Sequence, residues 1–263
     1  MRKIADDLGT VCRLPDGPVT RVISLVPSLT EAIAATRPAA LVGATDWCTH
    51  PADLDVIRVR GTKNPNVHQI VEIAQASSAP LLVIANKEEN RELDVHRLRD
   101  AGVTVWVTLV EDVLEAISGM ERLFEVALQW GIPPWLGSVM RLWSRRSPAP
   151  VARVAVPIWR DPWMVVGSRN FTTDLLAHVG LDNVFGAHAE RYPTLEVGAI
   201  DRAPVDAVLL PDEPYVFTPE DGPEAFVQAP TRLVSGRLLT WYGPSLIEAR
   251  GVLDSLAGEL ADR

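Results

Sequence analysis

A chain of 263 residues with 47% hydrophobic side chains is long enough for one large or two modest domains with real cores, which excludes a disordered or fibrous polypeptide. A formal net charge of -9 and the lack of any Lys/Arg run exclude a nucleic-acid-binding face, and no apolar stretch is long enough to span a bilayer. Cys12 and Cys48 form neither a disulfide framework nor a metal-ligand spacing, and Met1 to Asp7 lack the apolar core of a secretory signal, so the sequence reads as cytoplasmic.

The first twenty residues read as a hairpin or arm ahead of the first core strand, residues 21–26. Pro27-Ser28-Leu29-Thr30-Glu31 follows at once, with Ser28 and Glu31 at capping-box spacing, so strand turns into helix here and ends before Pro38. Such a junction is either an ordinary turn or a set of backbone N–H groups aimed at a ligand on the sheet's carboxyl edge. A second strand at 41–44 leads into Thr45-Asp46-Trp47-Cys48-Thr49-His50-Pro51. There an aromatic ring, a thiol and an imidazole fall within four positions; the last two suit transition metals, but Cys-x-His alone supplies too few ligands. The polar loop Gly61-Thr62-Lys63-Asn64-Pro65-Asn66 precedes a helix at 67–76. A buried-type strand at 81–85 runs into Asn86-Lys87-Glu88-Glu89-Asn90-Arg91, either a solvated cap or the polar rim of a cleft. A helix at 93–101 and a strand at 103–107 complete a half that alternates strand and helix as a parallel sheet requires.

Residues 111–146 read as helix almost throughout. Val113, Ile117, Met120, Phe124 and Ala127 recur at helical spacing, Gly131 suits a helix end, and Pro133-Pro134 suit the first turn of a second helix running to Arg146, with Arg141, Arg145 and Arg146 at its negative end. The break places the helical spine proper at 133–146.

The plan then repeats. A strand at 153–158 ends in Trp159-Arg160-Asp161-Pro162-Trp163; Asn170-Phe171-Thr172 opens a helix closing at Gly180; and the buried strand 205–210 ends in Asp212-Glu213-Pro214-Tyr215, in the place of the Asn86 loop. A last strand at 237–240 ends in Trp241-Tyr242-Gly243-Pro244, and a helix at 245–260 finishes the chain.

No glycine-rich phosphate loop, nucleophile elbow or paired-histidine zinc helix occurs, and His50, His68, His96, His178 and His188 stand singly. The neighbouring carboxylates Glu88/Glu89 and Asp212/Glu213 point in different directions, which gives acid–base chemistry no fixed geometry. What remains is aromatic: Trp47, Trp159, Trp163, Tyr215, Trp241 and Tyr242 all fall at strand ends, either stacking on a flat ligand or plugging the ends of two sheets.

Asp7-Leu8-Gly9 leading to Arg21-Val22-Ile23-Ser24-Leu25-Val26-Pro27-Ser28, then Val42-Gly43, His50-Pro51, Gly61-Thr62 and the 81–85 strand, resembles the class III periplasmic-binding-protein-like family that captures cobalamin, haem and iron siderophores. Gly61-Thr62-Lys63-Asn64-Pro65, Leu209-Leu210-Pro211-Asp212-Glu213-Pro214-Tyr215 and Leu239-Thr240-Trp241-Tyr242-Gly243-Pro244 resemble its signal-less branch, the helical backbone metal receptors. The resemblance implies an α/β fold of two Rossmann-like lobes with parallel sheets joined by a single long backbone helix: an N-terminal lobe at 1–110, a helical segment at 111–147 and a C-terminal lobe at 148–263. It implies a small-molecule metal chelate (a corrinoid, haem or ferric chelate) held without catalysis in the cleft between lobes. The ligand-binding residues would be Ser28, Trp47, His50, Lys63, Asn64, Glu88, Trp159, Arg160, Trp163, Glu213, Tyr215, Trp241 and Tyr242, with no catalytic residue. A lysine and an arginine in that rim suit a ligand bearing carboxylates. Two departures stand out. Lys63 occupies the place of a stacking tryptophan in cobalamin binders, and His68 and Val197 fall where members that dock on an ABC permease carry glutamates, with Glu72 and Glu196 nearby. The alternative is a metal-dependent cytoplasmic enzyme on the same scaffold, using Cys48, His50 and cleft carboxylates.

Overall fold

The computed structural model describes residues 1–144 and 148–262. The chain folds into two compact units, one made of residues 1–110, 114–139 and 242–244, the other of 111–113, 140–241 and 245–263.

In the first unit, β1 (Arg2–Ala5) and β2 (Val11–Leu14) form the antiparallel hairpin expected of the opening residues. Its turn is tied down by buried Asp6, which accepts the amides of Leu8 (3.0 Å) and Thr10 (2.9 Å) and the guanidinium of Arg99 (2.6 Å). The chain then forms β3 (Arg21–Ser24), α1 (Pro27–Thr36), β4 (Leu41–Ala44), β5 (Ile57–Arg58), the two-residue strands β6 (Arg60–Gly61) and β7 (Asn64–Pro65), α2 (Val67–Gln75), β8 (Leu81–Asn86), α3 (Glu92–Asp100) and β9 (Thr104–Thr108). Five strands lie in the order β5-β4-β3-β8-β9, all parallel. Every residue of β8 is buried, as a central strand covered by helices on both faces demands, and this is why it reads as an unbroken apolar run. Ile23, Val83, Val105, Ile70 and Leu98 pack into the core on one face.

Ser28 does not cap α1. Val26 takes the N-cap position with no side-chain bond and Pro27 fills the first turn, where its missing N–H costs nothing. The seal of α2 is Asn66, whose side chain accepts the Gln69 amide at 3.2 Å.

α4 (Val113–Glu121) runs on into π-helical turns over Arg122–Ala127, and the chain then breaks. Gln129 and Gly131 adopt left-handed φ values of 55° and 74°, and α5 (Pro134–Trp143) starts afresh. The proline pair and Gly131 thus mark a real interruption. α5 carries the chain from the first unit to the second at Val139–Met140, its ten residues spanning about 15 Å at ~1.5 Å each. Arg145 and Arg146, expected at its end, lie outside the described residues.

The second unit contains β10 (Ala152–Ala155), β11 (Pro157–Trp159), β12 (Met164–Val165), α6 (Phe171–Ala177), β13 (Leu181–Asn183), α7 (Val197–Asp201), β14 (Ala207–Pro211), β15 (Thr231–Val234), α8 (Gly236–Thr240) and α9 (Ser245–Ala261). Its sheet has the order β13-β10-β14-β15, again all parallel. The last strand is β15, not 237–240: the apolar Leu238-Leu239 pair belongs to α8 and is buried there. His178 is a packing residue, edge-on to Trp143 with ring centroids 6.0 Å apart and 3.5 Å from Asp174. The fold is thus α/β with a parallel sheet in each of two lobes.

Candidate functional site

In a parallel sheet all strands end on one side, so the loops after β3, β4 and β8 share the carboxyl edge of the first unit. The sheet order changes direction between β3 and β8, the point where open α/β sheets leave a crevice for ligands. The loops there are fastened to one another. Arg58 donates to the carbonyls of Thr45 and Cys48 (both 2.9 Å), holding the loop that carries Trp47 and His50. The Asn90 amide donates to the carbonyls of Leu25 (3.2 Å) and Thr62 (2.9 Å), and its Oδ1 accepts the Asn86 amide at 2.9 Å. The Lys63 ammonium donates to the carbonyl of Glu88. A methyl group on Gly61 would lie 2.5 Å from Asn64 Oδ1 and 3.4 Å from Trp47 Nε1, so the β6–β7 turn packs closely against both side chains. Trp47 is 64% exposed on this tied framework.

Cys48 and His50 do not make a metal centre. Cys48 is fully buried, with the Thr30 and Thr45 hydroxyls 3.0 and 3.1 Å from its sulfur, and burial pushes its thiol up. His50 is exposed, its Nδ1 3.2 Å from Thr49 Oγ1. Among the described residues no group of three or more His, Cys, Asp or Glu side chains could hold a metal ion. Ser28 and Tyr242 are both buried, and burial, with Glu89 nearby, drives the tyrosine phenol well above the usual range.

In the second unit the carboxyl edge carries the antiparallel β11–β12 hairpin that follows β10 and the loops after β14 and β15. Trp159 stands 43% exposed, edge-on to Tyr215 with ring centroids 5.6 Å apart at 79°. Arg160 reaches from the loop after β11 to the loop after β14, where its Nη1 donates to Asp221 and, at 2.6 Å, to Glu224 Oε1. The Tyr215 hydroxyl donates to the other Asp221 oxygen at 2.6 Å. These bonds hold the carboxyl of Asp221 (Tyr215 first, then Arg160) and that of Glu224 (Arg160) below the usual carboxylate range. Trp163 is no rim residue: it is 8% exposed, stacked on Phe217 at 5.7 Å and edge-on to Phe226. Trp241 is also buried, and its side chain hydrogen-bonds Glu213, whose carboxyl burial pushes up.

The thirteen expected contacts therefore fall into two sets. Trp47, His50, Lys63, Asn64, Glu88, Trp159, Arg160, Glu213 and Tyr215 lie on the loops at a sheet's carboxyl edge. Ser28, Trp163, Trp241 and Tyr242 are packed beneath, because a bulky ring at a strand end fills the sheet's open end as readily as it faces solvent. Sequence reasoning missed Asp221, Glu224, Arg58 and Asn90. Asp221 announces itself only as part of a Pro-Glu-Asp-Gly turn signal, which says nothing of what its carboxylate meets.

Comparison with known proteins fits this geometry. No protein-family profile matches the chain. It is similar to the vitamin B12-binding protein of Vibrio vulnificus, 23% identical over 195 residues that cover 70% of this chain and 68% of that protein. Among solved structures it resembles the periplasmic vitamin B12-binding protein BtuF of Vibrio cholerae (TM-score 0.73, 17% identity, 94% of this chain and 99% of that one). It also resembles CeuE of Helicobacter pylori with Ni(II) bound (0.75, 16%, 99% and 90%). A third likeness is to the periplasmic haem-binding protein BhuT with two haems (0.68, 20%, 92% and 98%). The fold is that of the class III periplasmic binding proteins, as the resemblance in the sequence implies.

These neighbours overturn the cytoplasmic expectation, since the B12- and haem-binding structures are of periplasmic proteins. That expectation rested on Met1 to Asp7. In the structure Arg2–Ala5 is a paired strand, so these residues report on the fold and not on the compartment.

Proposed function

We propose that this chain is a non-catalytic receptor for a flat metal chelate of the corrinoid, haem or ferric-siderophore kind. The observation that carries the reading is the pair Trp47 and Trp159, each standing exposed on the carboxyl edge of its own unit's parallel sheet, on loops held by buried or charged hydrogen bonds. Exposed indoles on a prearranged backbone are stacking platforms, and a stacked aromatic contact contributes about 0.5–1.5 kcal/mol beyond its buried area. In this reading His50, Lys63, Asn64 and Glu88 line the ligand in the first unit, and Arg160, Glu213 and Tyr215 in the second. The similar proteins, which bind vitamin B12, haem or Ni(II), support the ligand class. Their compartment supports capture outside the cytoplasm. Permease docking stays outside the proposal: the positions where the family resemblance expects docking glutamates fall at His68, in an exposed pair with Glu72 at 3.5 Å, and about Val197, with Glu72 and Glu196 close enough to substitute.

Tryptophan fluorescence, corrected for ligand absorption, titrated with aquacobalamin, haem and a ferric siderophore tests the proposal. Saturable quenching by one of the three is expected, with Trp47→Ala and Trp159→Ala each weakening affinity by about tenfold, or ~1.4 kcal/mol. Silence with all three, matched by calorimetry without heat, overturns it.

A further inference from the structure

The second unit's sheet changes direction between β10 and β14, so its crevice for a ligand lies between the loops that follow them. Arg160 lies in the first of these loops and its partners Asp221 and Glu224 in the second. The guanidinium already faces three carboxylates and a ring. Nη1 serves two carboxylates, Nε lies 3.7 Å from Asp161, and one face covers the Trp163 ring at 5.3 Å. The Tyr215 hydroxyl is likewise given to Asp221. Residues 157–163 and 211–226 contain one basic side chain, Arg160, against Asp161, Asp212, Glu213, Glu220, Asp221 and Glu224.

We infer that this rim is a charge filter: it accepts a neutral or cationic flat chelate and rejects one bearing several carboxylates. The inference rests on the receptor reading and reverses the carboxylate preference that the sequence suggests. A ligand carboxylate drawn to Arg160 would have to compete with Asp221 and Glu224 for its charge and would sit beside both anions. A neutral or cationic ring enters no such competition. It needs only the exposed face of Trp159, whose edge contact with Tyr215 leaves a side of the indole open to solvent. Arg160 is a positioning residue here: it joins the two loops and holds Asp221 where it receives the tyrosine.

The test compares aquacobalamin, a cationic ring, with haem, which carries two propionates, by calorimetry and tryptophan quenching on the full chain, at about 20 mM and about 300 mM salt to vary charge screening. The wild type is expected to bind aquacobalamin at least about tenfold more tightly than haem, with haem affinity rising as salt screens the repulsion. Asp221→Asn combined with Glu224→Gln frees Arg160 and should raise haem affinity about tenfold while changing aquacobalamin affinity less than about twofold. A wild-type preference for haem, unchanged haem affinity in the double variant, or haem affinity lost in Arg160→Gln overturns the filter alone. The wild-type preference and its salt slope need no variant to fold. No binding of either probe by either protein overturns the receptor reading, and the filter with it.

Discussion

Gly236 opens α8 and lies directly against the Glu213 segment of the candidate rim. A Cβ at this position would overlap Glu213 Cγ and would lie 2.6 Å from that residue's carbonyl oxygen and 2.9 Å from its nitrogen. Two of those atoms are backbone, so rotating a side chain does not relieve the clash and the Glu213 to Tyr215 segment must move. Overpacking of this kind costs about 1–3 kcal/mol, and at about 2–4 °C per kcal/mol for a chain of this size Gly236→Ala should lower Tm by ~2–12 °C. The matched control is Gly251, in α9, where an added methyl meets nothing within 4 Å. There the same substitution removes only glycine's helix penalty and should stabilise by about 0.5–1 kcal/mol. Thermal unfolding followed by circular dichroism reads both, and the titrations above then read affinity, which should fall in Gly236→Ala and hold in Gly251→Ala. Equal melting temperatures for Gly236→Ala and the wild type, or destabilisation by Gly251→Ala, would refute the packing argument.

Two further outcomes follow from titratable groups. The folded-state pKa of Glu213 lies above its ordinary 4.5 because burial disfavours the carboxylate, so the folded chain holds this proton at pH values where the unfolded chain has lost it. That contribution is complete below about pH 4.5 and is lost as pH rises through the folded pKa. Glu213→Gln, which cannot ionise, should therefore gain Tm relative to wild type with rising pH across that window; a flat or falling difference would refute the burial argument. Cys12 is pushed up to about 11 by burial first and Asp6 second, and Cys48 is raised by burial, so both thiols stay protonated and shielded at neutral pH. Neither should react with a disulfide reagent in the folded chain, both should react once it is unfolded in guanidinium, and rapid labelling of native Cys48 would contradict its seat between Thr30 and Thr45.

Much of the scaffold was legible because burial on both faces of a parallel sheet leaves a direct mark. The strands beginning at Arg21, Leu81 and near Ala207 are short apolar runs followed at once by polar loops, and Gly131 with Pro133-Pro134 marks the interruption before α5. The 237–240 segment misleads for the same reason: two leucines suit a buried strand or one face of a short helix equally. The candidate rim was legible as loops but not as surfaces. Nothing in the spacing tells Trp47, which faces solvent, from Trp163, which stacks on Phe217. The Arg160–Asp221 pair joins residues 61 positions apart, so no local pattern records it. Ser28 shows the limit of a motif: its capping-box spacing is intact, yet Val26-Pro27 sets the helix start and no side chain caps it.

The ties among the first unit's loops bear on kinetics. Loops held by Arg58, Asn90 and Lys63 through their own hydrogen bonds have little rotational freedom left to surrender when a guest arrives, so association should follow a single exponential whose rate grows linearly with ligand concentration, without the plateau that a slow loop rearrangement imposes. Differences in affinity among guests should then show up as residence times. Cutting one tie, as in Asn90→Ala, should turn that straight line into a saturating curve.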